Sequence, residues 1–151
     1  MTVSDIIQIL AGSVGVLGFC VLFNIRGRRM AATVFCGLLS WLVFVLLGLF
    51  IESEPLRYFI VALFISLLAE VMARLLKTPT TTFITTALVP LIPGGSLYYT
   101  MASAFGSDLD NFVSKAVGTI SLATALALGI TLAAALTTLC FKIIANIKRN
   151  A

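Results

Sequence analysis

The sequence predicts an all-α fold: an integral membrane helical bundle of about five transmembrane helices, the fourth broken at a P-x-x-P-G-G motif. Three observations predict it. The chain of 151 residues is 60% hydrophobic and only 11% charged, with a mean hydropathy of +1.14, so it cannot clothe a water-facing surface in charge. Apolar runs long enough to cross a bilayer, which takes about 20 residues, recur along it between short polar loops. The cations gather on alternate loops, as they do in multi-pass membrane proteins.

The elements follow in order. The first span, about 5–23, starts at Asp5 rather than at a basic residue and is followed by "NIRGRR". It reads as a retained span and not as a secretory signal. The second, 30–51, runs from that basic loop to "ESEP". The third, 56–76, ends in Arg74 and Lys77 and the loop "KTP". The fourth, 80–105, carries the break, and the fifth, 112–145, follows "GSDLDN". A single transmembrane domain covers residues 1–151, with no linker and no internal repeat. In the fifth span Ser121, Ala125, Gly129, Ala133 and Thr137 recur every fourth residue. Such a stripe of small residues lets another helix approach closely, either within the chain or from a second one. Gly12, Gly15 and Gly18 make a shorter version in the first span.

Charge orients the bundle. With five spans, Arg26, Arg28, Arg29, Arg74, Lys77, Lys142, Lys148 and Arg149 fall on one side, eight of the ten cations. The other side holds Asp5, Glu52, Glu54, Asp108 and Asp110 with Arg57 and Lys115. The positive-inside rule then places the chain in the cell (plasma or inner) membrane with its N-terminus outside and its C-terminus in the cytoplasm. A four-span alternative, with "VPLIPGG" as a re-entrant loop, would leave Lys142, Lys148 and Arg149 outside.

The break is the candidate functional feature. Pro90 and Pro93 lack backbone donors and clash with the preceding turn, and Gly94 and Gly95 add backbone freedom. It begins about ten residues into the span, roughly 15 Å deep at 1.5 Å per residue, near the bilayer middle. Backbone freed there is tolerated inside protein or beside a water-filled cavity. A half-helix starting near Gly94 turns free amides and a positive dipole end toward such a cavity. Gly94, Gly95 and Ser96 are therefore the expected anion site, in the manner of transporters that hold substrate carboxylates at mid-membrane. The approach, "TPTTTFITT", is polar. Thr78, Thr82 and Thr86, or Thr81 and Thr85, share a helix face and suit a water-lined vestibule, or a tolerated semi-polar face whose hydroxyls bond back to the helix. Of Tyr98 and Tyr99, at least one is expected to face the cavity.

Glu70 is the only acidic residue well inside a span. Such carboxylates are paired or functional. Arg74, four residues on, offers an i,i+4 ion pair; a proton- or cation-coupling site is the alternative.

The block "AEVMARLLKTPTTTFITTALVPLIPGGSLYYTM" resembles the threonine/serine exporter (ThrE) family. Glu70, Ala73, Arg74 and Pro79, then Pro90, Pro93, Gly94, Gly95 and Tyr98, match its E-x-x-A-R…P…P-x-x-P-G-G-x-x-Y pattern. Length and span count are similar to the small subunit of the split, two-protein members. The resemblance implies export of small carboxylates, threonine and serine or a dicarboxylate such as succinate, together with a larger five-span partner subunit.

Other classes are weighed beside this one. A homo-oligomeric channel and a non-transporting structural membrane protein are the alternatives. An enzyme is not expected, since there is no histidine and no nucleophile–base set. Neither a cofactor nor a metal is expected: Cys20, Cys36 and Cys140 lack ligand spacing and read as small buried residues. The expected partners are membrane lipid, the larger subunit and possible further copies of the chain, with no nucleic acid.

Overall fold

A computed structural model describes residues 3–106 and 109–150, without the side chains of residues 4, 144, 145 and 147–150. Among the described residues six helices form: α1 (Val3–Leu22), α2 (Arg28–Gly48), α3 (Glu54–Leu75), α4 (Thr80–Leu88), α5 (Gly94–Ala104) and α6 (Leu109–Asn150), with a 3-10 turn (Val89–Leu91) after α4. No strand occurs among the described residues. Parts of α1, α2, α3 and α6 are each long and apolar enough to cross a membrane. Observed boundaries lie within a few residues of those expected, except at the end of α6, which runs on to Asn150. Its 42 residues make a rod of about 63 Å at 1.5 Å per residue. Asp108 lies outside the described residues, as do the side chains of Lys148 and Arg149.

The connections alternate between two ends of the bundle. At the arginine end, α1 stops at Asn24, whose φ of 55° is left-handed. The Asn24 N–H donates to the Val21 carbonyl and the Ile25 N–H to that of Cys20 at 2.8 Å, while Ile25 packs on Cys20 and Val16. This is a Schellman stop with its apolar clasp. The same stop ends α3, where Lys77 (φ 48°) takes the left-handed position and the Thr78 N–H reaches the Ala73 carbonyl at 2.9 Å. Gly27 enters α2 at φ 63°, ψ −137°, a conformation open in practice only to glycine. At the opposite, acidic end, α2 gives way to α3 through Ser53, Glu54 and Pro55, with proline in the first turn of α3, where its missing N–H costs nothing.

Close approach of helices sets the packing. Gly12 lies under the Trp41 indole and Gly37 under the Val16 side chain, and any Cβ there would collide. Gly129 meets the backbone of α3: a Cβ would lie 2.6 Å from the Phe59 carbonyl oxygen and 2.8 Å from the Ala62 Cβ. Ala125, Gly129 and Ala133 are buried on this seam, so the small-residue stripe of α6 packs within the chain. The glycine series of α1 does so only at Gly12, since nothing lies within 4 Å of a Cβ at Gly15 or Gly18. Cys20 and Cys36 are buried as expected; Cys140 is not, because it lies on the outer face of α6.

α4 inserts against α1, α2 and α3, whereas α5 packs chiefly on α6. Ala87, Leu88 and Leu91 pack with Cys36 of α2 and with Val61 and Ile65 of α3. Those partners sit near the middle of their helices, so the break lies at mid-depth in the bundle.

Candidate functional site

The break is built by its prolines. Pro90 cannot supply the amide that would continue α4, and the chain tightens into the 3-10 turn, with the Ile92 N–H bonded to the Val89 carbonyl at 3.1 Å. Ile92, which precedes a proline, is extended at φ −59°, ψ 128°. Pro93 follows at φ −72°, ψ 60°, the inverse γ-turn conformation, and the Gly94 N–H closes that turn on the Ile92 carbonyl at 2.6 Å. α5 then starts with no side-chain cap. The Gly94 amide is thus engaged in the turn, which corrects the expectation that it is free. By position in the first helical turn, the amides of Gly95 and Ser96 have no helical acceptor. The Leu97 N–H is the first to find one, the Pro93 carbonyl at 3.0 Å.

Neither Gly94 nor Gly95 has a left-handed φ, and nothing lies within 4 Å of a Cβ built at either. Conformation does not demand glycine at these two positions. What glycine gives there is uncovered backbone, and it opens to the outer face of the chain.

Four clefts follow the interrupted helix from one end to the other. At the arginine end, Asn24, Arg26 and Arg29 border one of about 370 Å³ with Thr78 and Thr82. It shares Phe23, Ile25 and Thr82 with a second of about 300 Å³, lined also by Thr81, Thr85 and Thr86. Thr85 and Pro93 line an apolar groove of about 430 Å³ between α4 and α6. Beyond the turn, Ser96 and Tyr99 open onto a cleft of about 550 Å³ bounded by Glu54 of α3 and Lys115 of α6. Thr82 and Thr86 therefore stand on the arginine side of the break and Ser96 on the other. Thr86 is buried, and its hydroxyl donates back to the Thr82 carbonyl at 2.9 Å, so Thr82 presents the freer hydroxyl. Tyr99 faces the last cleft. Tyr98, at 69% exposure, packs edge-on against the Tyr99 ring and points outward.

Glu70 and Arg74 form an ion pair at 3.4 Å. The Arg74 guanidinium also stacks over Phe141 of α6 at 3.2 Å. They border a separate cleft with Thr137, Thr138 and Lys142, toward the arginine end and away from the break. No cluster able to hold a metal ion occurs among the described residues. Sequence reasoning missed Lys115 and Glu54, which the fold brings to the mouth beside Ser96. Lys115 had a legible signal, as one of two cations on an otherwise acidic side. Thr100 and Thr119 were also missed; their hydroxyls bond across α5 and α6 at 2.9 Å, a pairing that only the packing reveals.

Long apolar helices around one that is interrupted at mid-depth and flanked by polar clefts define a helical membrane-protein fold. The family model described as "Threonine/Serine exporter, ThrE" matches residues 8–136, which includes every helix of the bundle in whole or in part. The chain belongs to the threonine/serine exporter family. Neither a curated protein nor a solved structure matches it.

Proposed function

We propose that this chain forms one half of an export path for small carboxylates, threonine and serine in the first place and dicarboxylates such as succinate as the wider class. The path runs along α4, the turn and α5. The observation that carries this reading is the break itself, which lies against the middle of α2 and α3 and links polar clefts at opposite ends of the bundle. In this reading α4 and α5 together make the fourth of five crossings and α6 the fifth, the N-terminus is outside and the C-terminus cytoplasmic. Arg26 and Arg29 then collect carboxylates on the cytoplasmic side, Thr82 and Thr86 line the approach, and the amides of Gly95 and Ser96 receive the carboxylate. Pro90, Pro93 and Gly94 shape the turn, Tyr98 and Tyr99 stand beyond it, and Glu70 with Arg74 is the candidate coupling pair.

Open amides at mid-depth cannot face lipid, yet Gly94 and Gly95 lie on the surface of this chain. A larger five-span partner subunit of the same family covers them in the proposed assembly and supplies the other wall. Efflux from loaded vesicles holding both subunits tests the reading, with threonine, serine and succinate measured separately. Replacing Pro90 and Pro93 together by Ala lets the helix close over its amides. Export should be lost while insertion is kept; a wild-type rate in that variant would reduce the break to a kink.

A further inference from the structure

We propose that Glu54 and Lys115 form a selective mouth at the acidic end of the path, one that accepts a zwitterionic α-amino acid and disfavours a dicarboxylate. The proposal rests on the export reading above and assigns the discrimination to two side chains. Three helices meet at this cleft: the start of α3 brings Glu54 and Pro55, α5 brings Ser96 and Tyr99, and the first turns of α6 bring Lys115 through Leu122. Glu54 and Lys115 are both exposed. Glu54 and Lys115 make no ion pair with each other within 4.0 Å, so they face one cleft without neutralising each other.

Two fixed charges of opposite sign across a cleft complement a molecule that carries both. An ammonium directed to Glu54 and a carboxylate directed to Lys115 use both charges. A dicarboxylate uses Lys115 and brings its second charge against Glu54, a like-charge encounter that disfavours it. The other cation at this end, Arg57, is taken up elsewhere: its guanidinium lies over the Phe44 ring at 5.2 Å. Lys115 is therefore the cation that this cleft presents. The Thr119 hydroxyl is bonded to the Lys115 carbonyl and to Thr100, which leaves Ser96, Tyr99 and Ser121 as the neutral polar groups around the charges.

Glu54 also stands in the first turn of α3, where an acid steadies the helix dipole. A purely structural role of that kind lowers the amount of protein without altering which substrate it prefers. The experiment therefore reads a ratio. Vesicles containing the full export system are loaded with threonine or with succinate, and rates are taken at equal inserted protein. Glu54→Gln should raise the succinate-to-threonine ratio of kcat/KM about fivefold, the scale of one exposed charge pair. Lys115→Gln should raise KM for both substrates by about the same factor, and Glu54→Asp and Lys115→Arg should keep the wild-type ratio. Should Glu54→Gln insert poorly, Glu54→Ser, which leaves the N-cap Ser53 in place, carries the same comparison. An unchanged ratio with threonine export intact overturns the assignment and leaves the export reading standing. If wild-type vesicles export neither substrate, the export reading fails and the mouth falls with it.

Discussion

Glycine occurs in two regions of this molecule for opposite reasons. On the α3–α6 seam, Gly129 is pressed against the Phe59 carbonyl and Ala62, and no side chain fits. At the start of α5, Gly94 and Gly95 face open space and would admit a Cβ without a clash. The first glycine is explained by what touches it and the second pair by what does not. A hydrocarbon solvent rewards close helix packing through dispersion contacts, which accounts for Gly129. Gly94 and Gly95, like Gly15, Gly18 and Gly118, pack against nothing, and what sets the α5 pair apart is that they open an uncapped helix straight after the proline turn.

Substitutions sharpen that contrast. The largest effect should come from Gly129→Val, which drives two methyl groups into the backbone of α3. Overpacking of a close seam costs roughly 1–3 kcal/mol or more, and the variant should lose folded protein in detergent-resistant unfolding assays, with no dependence on any other chain. Next comes Gly95→Ala. Folding should be unchanged or improved by about 0.5–1 kcal/mol, since alanine is the better helix former, yet vesicle export should fall because a methyl group now stands over the open amides. Export at the wild-type rate would place the carboxylate elsewhere.

Glu70→Gln should have a smaller effect on the fold. The pair is partly solvated, with Arg74 at 53% exposure, so its loss should cost less than about 1 kcal/mol, and Arg74 keeps its stacking on Phe141. If Glu70 couples proton movement to export, pH-driven export in this variant slows while exchange at equal pH persists; unchanged export across pH would remove it from the mechanism. The smallest effect is expected of Lys77→Gly. It relieves a left-handed residue at the α3 stop and should stabilise the chain by a few tenths to about 1 kcal/mol, with no change in export.

Much of the fold was legible because hydrocarbon imposes a simple rule. Each long apolar run had to become a helix, and prolines 90 and 93 had to interrupt the fourth. The sequence also pointed to the pairing of Glu70 with Arg74, which depends only on spacing along one helix. Other features depended on distances between helices. Spacing alone left the α6 stripe open to a partner in this chain or another; the approach of Phe59 decides it. The engaged Gly94 amide was not legible either, because it turns on the ψ of Pro93. Glu54 and Lys115 are 61 positions apart in the sequence, and only the return of α6 beside the start of α3 brings them to one cleft.

The break also divides the chain mechanically. α4 is gripped by three neighbouring helices, whereas α5 rests chiefly on α6. The hydrogen bonds of the turn between them, Ile92 to Val89 and Gly94 to Ile92, each close locally, and neither clamps one helix to the other. The turn is thus a joint with a fixed arm and a lighter one. Swinging α5 alone would spare the helical hydrogen bonds of both arms, and its resistance would come from its side-chain packing on α6, which the seam at Gly129 holds to α3. Were the proposed path to change its width at this joint, the uncovered amides would sit at the pivot, where the displacement is least.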